Sequence, residues 1–471
     1  MNVVTLESHS PADAGLTAVP HVIKGELVQG SEVPFRSAAG GGIATPRIDI
    51  NSLVWSRREP GPAFHVPIDE ILDLLVATGA AMRRDAGGFM AEALENMART
   101  STLERRILKN CYDDLPYLYE RRLLEFAIEE DLGGKRVLDD WHEVMRPNGR
   151  AARYRSFPPR LIHIMAGNTP GVASVSIVRA ALTKGVHLLK MPSNDLFTAT
   201  AILRTMRAVA PDHPVIRSFS AVYWRGGDEA IESRIFQPQF FDKLVAWGGE
   251  AALRSAKKYI GPGFELVAFD PKTSISLIGR EAFVSPETLA NVAALAATDA
   301  TPYNQGACVS SRIQYVEGTR EQIDAYCAAL QRELGNERRT TSAVVGRVPA
   351  ELREAIDGLR GLEPEYRVWG GYEGKGLVIR SEEPVEFYPN GKIVNVVPVV
   401  SLQDAVGFAN VATQTVGVYP PERKVEVREA LAVAGVQRIV SLGQAIGSNF
   451  GISHDGFFPL HRMVRWVNDE D

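Results

Sequence analysis

Short apolar segments alternate with segments of helical periodicity through the middle of the chain. Strand-like runs lie at residues 160–166, 186–190, 220–224, 243–247 and 265–269, and a helical pattern follows each of the first four. Strands that alternate with helices favour a parallel sheet joined by right-handed crossovers, with helices on both faces. The pattern therefore predicts an α/β fold with a doubly wound parallel sheet.

A second alternating region follows a long apolar helix pattern at residues 286–299. The predicted strands are 312–316, 377–380, 394–400 and 437–442, and the predicted helices are 322–334, 402–412 and 425–434. Upstream, residues 1–60 are rich in Gly, Pro, Ser and Val and predict short strands or an extended strap. Residues 67–140 have apolar positions at helical spacing. A second α/β domain and a helical N-terminal segment are expected.

Composition excludes several classes of protein. The chain has 52 Lys and Arg against 57 Asp and Glu, so its net charge of −5 argues against nucleic-acid binding. Only three cysteines occur, without a CxxC pair, so we expect no disulfide framework and no metal site. The first residues lack the pattern of a signal peptide, and no apolar run approaches the ~20 residues that span a bilayer. We expect a cytoplasmic protein without a membrane span.

The strand ends of the first sheet predict a nucleotide site. In a doubly wound sheet the ligand lies at the carboxyl ends of the strands. The residues there include Gly167, Lys190, Ser193, Gly227 and the run Trp247-Gly248-Gly249. Glycines at these turns let backbone amides at a helix N-terminus approach a pyrophosphate. No GxGxxG motif follows any of the strands, so an ordinary dehydrogenase fingerprint fits poorly.

Cys308 is the candidate nucleophile. It lies in Gln305-Gly306-Ala307-Cys308, on a predicted turn between a helix and a strand, among small and polar residues. Such a position exposes a sulfur to a cleft. The alternative is a buried core thiol, which is common for free cysteine. Cys111 and Cys327 lie on helical patterns, and we interpret both as core or surface thiols.

Several motifs in chain order resemble the fatty acyl-CoA reductase branch of the aldehyde dehydrogenase superfamily, the branch that supplies aldehyde to bacterial luciferase. The resemblance covers residues 155–471. It is carried by Gly167-Asn168-Thr169-Pro170-Gly171, Lys190, Ser193-Asn194-Asp195, Trp247-Gly248-Gly249, residues 269–274, Gln305-Gly306-Ala307-Cys308, residues 435–439, His454-Asp455-Gly456 and Arg465-Trp466-Val467.

The resemblance implies an aldehyde-dehydrogenase-like fold and a mechanism. Cys308 matches the catalytic thiolate that attacks a thioester, expels coenzyme A and leaves an acyl-enzyme. Asn168 matches the amide that holds the oxyanion together with the Cys308 N–H. A nicotinamide cofactor then delivers hydride, and aldehyde is released. His454 could donate a proton in this reaction, although a structural hydrogen bond is the usual role of a loop histidine.

Two departures from ordinary aldehyde dehydrogenases refine the expectation. The position of their water-activating glutamate is occupied by Ala268, with Glu265 as the alternative if the register is shifted. Without that carboxylate the acyl-enzyme survives to accept hydride. The position of the ribose-binding glutamate of NAD-preferring relatives is occupied by Ser193, which favours NADPH over NADH because a serine does not repel a 2′-phosphate.

These observations define the domains and the function that we predict. The expected domains are an N-terminal strap and helical segment packed on the cofactor domain, a nicotinamide-cofactor-binding domain, a catalytic domain and a C-terminal oligomerisation segment, at residues 1–150, 151–272, 273–450 and 451–471. The predicted function is NADPH-dependent reduction of an acyl-CoA, acyl-carrier or acyl-protein thioester to the aldehyde by a homo-oligomer. The alternatives are an oxidative aldehyde dehydrogenase, acylating or hydrolytic, and a non-catalytic binding protein.

Overall fold

The computed structural model describes residues 16–447 and 450–470. The first fifteen residues of the predicted strap lie outside the described part. The strands are β1 (Thr17–Ala18), β2 (His21–Ile23), β3 (Glu26–Val28), β4 (Val33–Arg36), β5 (Gly42–Thr45), β6 (His142–Met145), β7 (Ala151–Phe157), β8 (Arg160–Ile164), β9 (Val186–Lys190), β10 (Phe219–Val222), β11 (Lys243–Trp247), β12 (Glu265–Phe269), β13 (Thr273–Ile278), β14 (Ser311–Glu317), β15 (Tyr366–Trp369), β16 (Leu377–Ser381), β17 (Ile393–Val399), β18 (Thr413–Tyr419), β19 (Arg438–Ser441) and β20 (Arg465–Glu470).

The helices connect these strands and build the N-terminal segment. They are α1 (Ile50–Leu53), α2 (Ile68–Arg84), α3 (Phe89–Thr100), α4 (Arg105–Asp114), α5 (Arg121–Leu132), α6 (Arg136–Asp139), α7 (Gly171–Leu182), α8 (Thr198–Val209), α9 (Pro214–Arg217), α10 (Glu229–Ile235), α11 (Glu250–Lys257), α12 (Pro286–Ala300), α13 (Pro302–Gln305), α14 (Arg320–Leu334), α15 (Ala350–Arg360), α16 (Leu402–Ala405), α17 (Lys424–Ala434) and α18 (Pro459–Met463). Short 3-10 turns lie at Leu115–Tyr119, Arg280–Phe283, Val406–Phe408 and Pro421–Arg423.

The first large sheet has seven strands in the order β12-β11-β8-β9-β10-β2-β3. The five predicted strands are parallel to one another, as the alternation indicated. The residues of β8, β9 and β10 are all buried because helices cover both faces, whereas β12 is only partly buried. Two further pairings were not predicted from the sequence. Strand β2 pairs antiparallel with β10, and β3 pairs antiparallel with β2. The N-terminal strap therefore covers an edge that would otherwise be open.

The second large sheet has the order β15-β16-β17-β14-β13-β18-β19. All pairs are parallel except β15 with β16. The helix predicted over residues 402–412 is shorter than expected: α16 ends at Ala405 and passes into the 3-10 turn Val406–Phe408. This sheet carries the candidate nucleophile, which lies immediately before β14.

The C-terminal strand β20 returns to the first half of the chain. It pairs antiparallel with β7, which also pairs with β6, and so forms a separate three-stranded sheet. The helices α2 to α5 pack against α7 and α8 in one large apolar core, with buried side chains such as Ile71, Leu108, Ile128, Ile177 and Ile202. The N-terminal helical segment therefore packs on the first large sheet. The four domain boundaries given above stay a prediction.

Candidate active site

One large cleft runs between the two seven-stranded sheets. Its volume is about 1980 Å³, larger than the ~300–1,000 Å³ of a typical site for one small molecule. Residues after β8, β9 and β11 line one side, and the turn before β14 lines the other. The cleft can therefore hold two reactants between the domains.

The turn that precedes Cys308 has an unusual backbone. Tyr303, Asn304 and Gln305 have φ values of 51°, 56° and 71°, in the left-handed region that non-glycine residues seldom adopt. Three such residues in succession require support from the surroundings. The side chain of Gln305 supplies it, because Nε2 donates to the Ile393 carbonyl (2.7 Å) and Oε1 accepts from the Ile393 N–H (3.1 Å).

Arg312 completes the support of this turn. Its guanidinium donates to the carbonyls of Gln305 and Pro389 and lies over the ring of Tyr388, 4.3 Å from the centroid. The turn is thus bound to β17 and to the segment before it. This arrangement leads the chain out of α12 and presents Cys308 to the cleft.

Cys308 is an exposed residue that lines the cleft, whereas Cys111 and Cys327 are buried. The surrounding walls desolvate the sulfur and raise the pKa of the Cys308 thiol above its ordinary value, and the charge of Asp455 acts in the same direction. Hydrogen bonds from Gln414 and from the N–H groups of Val309 and Cys308 lower the pKa and stabilise the thiolate. The sulfur is accessible from the cleft, and these hydrogen-bond donors stabilise its thiolate form.

Asn168 lies beside the same turn. It follows β8, and its Nδ2 donates to the Gly306 carbonyl (3.2 Å), two residues before Cys308. An amide nitrogen carries two hydrogens, so one remains for a further acceptor. The preceding Gly167 allows the close approach of the chain to Asn194, because a Cβ at residue 167 would lie 2.0 Å from Asn194 Oδ1. Asn168 and Cys308 come together across the cleft although they are far apart in sequence.

His454 also lines the cleft, against aromatic side chains. Its ring is perpendicular to Trp247 and Phe269, with centroids 5.3 and 5.2 Å away, and those two rings stack on each other at 3.7 Å. Desolvation, together with Arg179, Arg438 and Lys272, lowers the pKa of His454 to about 3. The imidazole is therefore neutral at physiological pH.

The candidate cofactor residues gather at the strand ends with one exception. Gly167, Lys190, Ser193 and the run Trp247-Gly248-Gly249 line the cleft. Gly227 does not line it: its N–H donates to Glu232 Oε1 (3.0 Å), and the neighbouring Gly226 forms the wall instead. Gly249 precedes the first turn of α11, so unpaired backbone N–H groups face this part of the cleft.

Glu265 and Ala268, the two positions considered for a water-activating base, lie near opposite ends of β12. Glu265 is at the amino end of β12, away from the cleft, where it pairs with Lys243 (3.0 Å) and Arg462 (2.8 Å). The alternative of Glu265 as a base is therefore wrong. Ala268 lies near the carboxyl end of the same strand and has no acidic group.

Sequence reasoning missed two groups that contact the thiol environment. Gln414, on β18, forms a hydrogen bond with Cys308 and donates from Nε2 to Asp455 Oδ1 (2.8 Å). Asp455 was noted only as part of a motif, yet it lines the cleft, and desolvation raises the pKa of its carboxyl. Neither residue is near Cys308 in the sequence, so no local signal identified them.

The loop after β19 forms a wall of the cleft near Cys308. Asp299 accepts from the N–H groups of Gly443 (2.7 Å) and Ala445 (2.9 Å), while Arg438 donates to the Gln444 carbonyl (3.2 Å). Burial raises the pKa of Asp299 to about 6. The Asp299 carboxylate thus binds N–H groups of the loop, and the Arg438 guanidinium binds one of its carbonyls. Both contacts hold the loop, which continues to Ile446 in the cleft wall.

The raised pKa of Cys308 predicts how its reactivity depends on pH. Only the thiolate is nucleophilic, so alkylation of Cys308 by iodoacetamide is expected to increase about tenfold per pH unit up to and beyond the ordinary thiol pKa of ~8.5. In Gln414→Leu the curve is expected to move to higher pH, because a hydrogen bond to the thiolate is lost. Mass spectrometry of the labelled peptide measures the rate, and Cys327 is the internal control. A plateau at or below pH 7 would contradict the assignment.

Within residues 16–447 and 450–470, no group of three or more His, Cys, Asp or Glu side chains is placed to hold a metal ion. None of the described helices is long and apolar enough to cross a membrane.

Comparisons with known proteins identify the family. The family model described as acyl-CoA reductase (LuxC) matches residues 63–466. The long-chain acyl-protein thioester reductase of Photorhabdus luminescens is 32% identical over 358 residues, covering 73% of this chain and 69% of the relative. The enzyme of the same name from Aliivibrio fischeri is 31% identical over 360 residues, covering 75% of this chain and 72% of the relative.

Solved structures identify the fold. The NADP-dependent glyceraldehyde-3-phosphate dehydrogenase of Bacillus halodurans C-125 has a TM-score of 0.70 at 13% identity and covers 97% of this chain and 99% of its own. The Δ-pyrroline-5-carboxylate dehydrogenase of Mycobacterium tuberculosis has a TM-score of 0.69 at 14% identity. The match covers 100% of this chain and 97% of that enzyme. The predicted aldehyde-dehydrogenase-like α/β fold is confirmed. The chain belongs to the acyl-CoA reductase (LuxC) family, has the fold of the aldehyde dehydrogenases and is an oxidoreductase that acts on acyl groups.

Proposed function

We propose that this enzyme reduces a fatty acyl thioester to the aldehyde with NADPH, through an acyl-Cys308 intermediate. The observation that carries the proposal is the pairing of an accessible Cys308 thiol with the Asn168 amide on the same turn. A thiol and an amide donor beside the same turn suit attack on a carbonyl and stabilisation of the resulting oxyanion.

In the first step the Cys308 thiolate attacks the thioester carbonyl. The C–S bond to the enzyme forms, and the carbonyl oxygen becomes an oxyanion, which accepts hydrogen bonds from Asn168 Nδ2 and the Cys308 N–H. The tetrahedral intermediate collapses, the donor leaves as a thiolate, and the acyl group stays on Cys308. The chain needs no general acid for this step, because a thiolate is a good leaving group. A proton-donating role for His454 is not part of the proposal, since the imidazole is neutral at a pKa of about 3.

The residues at the strand ends suit a nicotinamide dinucleotide. Gly248 and Gly249 leave the backbone before α11 open for a pyrophosphate, and the Lys190 ammonium and the Ser193 hydroxyl line the same cleft and would hold the adenosine ribose. NADPH bound there would supply the hydride that reduces the acyl-cysteine. The thiohemiacetal on Cys308 then collapses, the C–S bond breaks, and aldehyde leaves as the thiolate is regenerated. We propose NADPH over NADH because Ser193 carries no negative charge.

A second part of the cleft wall suits a fatty acyl chain. It is apolar and comes from the 3-10 turn Leu115–Tyr119, from α7 and from the loop after β19, with Leu115, Leu118, Val172, Val175, Ile446 and Phe450 among the lining side chains. Each buried methylene of a substrate contributes about 0.8 kcal/mol to binding. The acyl group can arrive on coenzyme A, as first expected, or on a protein, as the names of the relatives indicate for those enzymes.

The proposed reaction requires that hydride transfer be faster than hydrolysis. Ala268 offers no carboxylate, but Asp455 lies in the same cleft and is held by Gln414. Because this contact and burial hold the Asp455 carboxylate in place, we expect it to activate water poorly. With radiolabelled acyl-CoA and no cofactor, label is expected to stay on Cys308, and adding NADPH is expected to convert it to aldehyde. Release of free fatty acid at the rate of turnover would instead favour an aldehyde dehydrogenase with Asp455 as its base, and loss of that release in Asp455→Asn would establish it.

Location and assembly are part of the same proposal. The small number of cysteines and the free Cys308 thiol support a reducing, cytoplasmic environment. The sheet of β6, β7 and β20 has exposed residues on its outer strands, and we propose that it joins subunits of a homo-oligomer.

A further inference from the structure

A second cavity lies at the edge of the first sheet where β8 and β9 begin. Its volume is about 470 Å³, within the ~300–1,000 Å³ of a typical site for a small molecule. Its walls come from the loop between α1 and α2, the β7–β8 junction, the turn between α7 and β9, and the first residue of β20. The large cleft lies at the other end of the same strands. Because β8 and β9 have five residues each, about 17 Å separates the two places.

Cationic side chains dominate the lining of this second cavity. Among the described residues they are Arg57, Arg58, Arg160, Lys184 and Arg465. Glu59 is the one acidic residue in the same lining. Lys184 and Arg160 are buried, with 2% and 9% of their surface exposed, and Lys184 is neutralised by Asp139 (2.6 Å). The remaining cations are all arginines, so the cavity gathers guanidinium groups.

Two of these arginines share one carboxylate. Asp242 Oδ1 lies 2.7 Å from Arg57 Nη1 and 3.6 Å from Arg465 Nη1. Its Oδ2 accepts from the backbone N–H of Arg160 (2.7 Å) and not from that residue's guanidinium. Burial lowers the pKa of Arg160, and the charges of Arg57 and Arg465 act in the same direction. The single charge of Asp242 therefore does not balance the three guanidinium groups around it.

Arg58 adds a fourth guanidinium, which forms no ion pair with a carboxylate in the part of the chain that the structure describes. The loop that carries it is tied to β8, because the Arg160 guanidinium donates to the carbonyls of Ser56 (2.6 Å) and Glu59 (3.0 Å) on either side of it. The buried arginine thus spends its hydrogen bonds on placing the exposed one. An unpaired guanidinium on a fixed loop beside a cavity suits the binding of an anion.

Aromatic rings form another part of the wall. The rings of Phe64 and Phe157 lie 6.0 Å apart, and the His65 ring is nearly perpendicular to Phe64 at 4.9 Å. Phe157 pairs across the strands with Arg465, so an aromatic and a cationic wall meet where β7 joins β20. The cavity therefore offers both positive charge and a surface on which a planar group can stack.

We infer that this cavity binds a polyphosphate anion, either free or attached to a nucleoside. Arg58 and Arg465 contact the phosphate groups, because guanidinium groups bind such oxygens in bidentate fashion. A bound anion joins the loop of Arg58 to the first residue of β20 and so stabilises the C-terminal strand. The site is separate from the candidate active site, and the inference does not depend on the proposed function.

Tripolyphosphate tests the inference without a nucleoside. Isothermal titration calorimetry of the full chain at about 0.15 M salt is expected to show one bound tripolyphosphate per chain. Arg58→Gln and Arg465→Gln are each expected to weaken binding at least about fivefold, because each removes a guanidinium that contacts the anion. Arg47→Gln, at an arginine that lines neither cavity, and Arg225→Gln, in the large cleft, are expected to change it less than about twofold. All four arginines are exposed, and thermal melting verifies that the variants fold.

ATP identifies the source of the polyphosphate. Tighter binding of ATP than of tripolyphosphate, with the gain lost in Phe64→Leu, would support the site and assign it to a nucleotide whose base stacks on the aromatic wall. An affinity for ATP no higher than that for tripolyphosphate, still lost in Arg58→Gln, would support the site and assign it to inorganic polyphosphate.

Four results would overturn the inference and leave the proposed function in place. The first is that tripolyphosphate does not bind. The second is equal weakening in all four arginine variants, which indicates general attraction between charges. The third is weakening in Arg225→Gln but not in Arg58→Gln, which places the anion in the large cleft. The fourth is a changed oligomeric state of Arg465→Gln with unchanged tripolyphosphate binding, which assigns the arginine to a contact between subunits.

Discussion

Cys308→Ala is expected to abolish aldehyde formation, with a loss of at least about 10⁴-fold in kcat. The proposed chemistry passes through a covalent bond to this sulfur, so its removal eliminates the intermediate and not merely a favourable contact. The measurement is NADPH oxidation at saturating acyl-CoA, together with mass spectrometry of the intact protein after incubation with acyl-CoA alone. The wild-type protein is expected to gain one acyl group, and the variant none.

Two comparisons make this result specific. Cys327→Ala removes a buried thiol from α14 and is expected to lower stability while leaving kcat within about twofold. Cys308→Ala is expected to retain nucleotide binding, because Cys308 is not part of the β9 and β10 end of the cleft. Turnover by the alanine variant within about tenfold of the wild type would refute the covalent mechanism.

Asn168→Ala is expected to reduce kcat by about 10²–10³-fold, which corresponds to about 3–4 kcal/mol of transition-state stabilisation. The reason is the loss of the amide hydrogen that would contact the oxyanion, so kcat is expected to change more than KM. Asn168→Asp should be at least as inactive, because a carboxylate opposes the developing negative charge while keeping the shape of the side chain.

A structural role for Asn168 would give a different result. Its amide also donates to the Gly306 carbonyl, so the substitution also removes a contact that holds the turn. The alkylation rate of Cys308 distinguishes the two explanations. Loss of the oxyanion donor leaves that rate unchanged, whereas a displaced turn alters it. Asn336→Ala, at the exposed end of α14, is the control. Equal changes in alkylation and in kcat would assign Asn168 to positioning.

Local signals predicted the first sheet well because its central strands are buried on both faces. The runs at 160–166, 186–190 and 243–247 are nearly continuous apolar segments, and β8, β9 and β11 lie within them. The N-terminal strands β2 and β3 were too short for their partner to be predicted, since pairing with β10 joins Val22 to Ala221 across most of the first half of the chain. Helix α16 was predicted too long because its apolar pattern continues beyond Ala405 into a turn.

The amino-acid sequence by itself determined the α/β class and the existence of two sheets, and it indicated the candidate thiol and amide, because strand and helix patterns and short motifs are local properties of the chain. Only the tertiary structure decided which distant groups surround that thiol. Gln414 and Asp455 approach it from separate segments, and Arg36, at the end of the N-terminal strand β4, lines the same cleft. Such proximity arises from packing between elements, and no spacing along the chain encodes it.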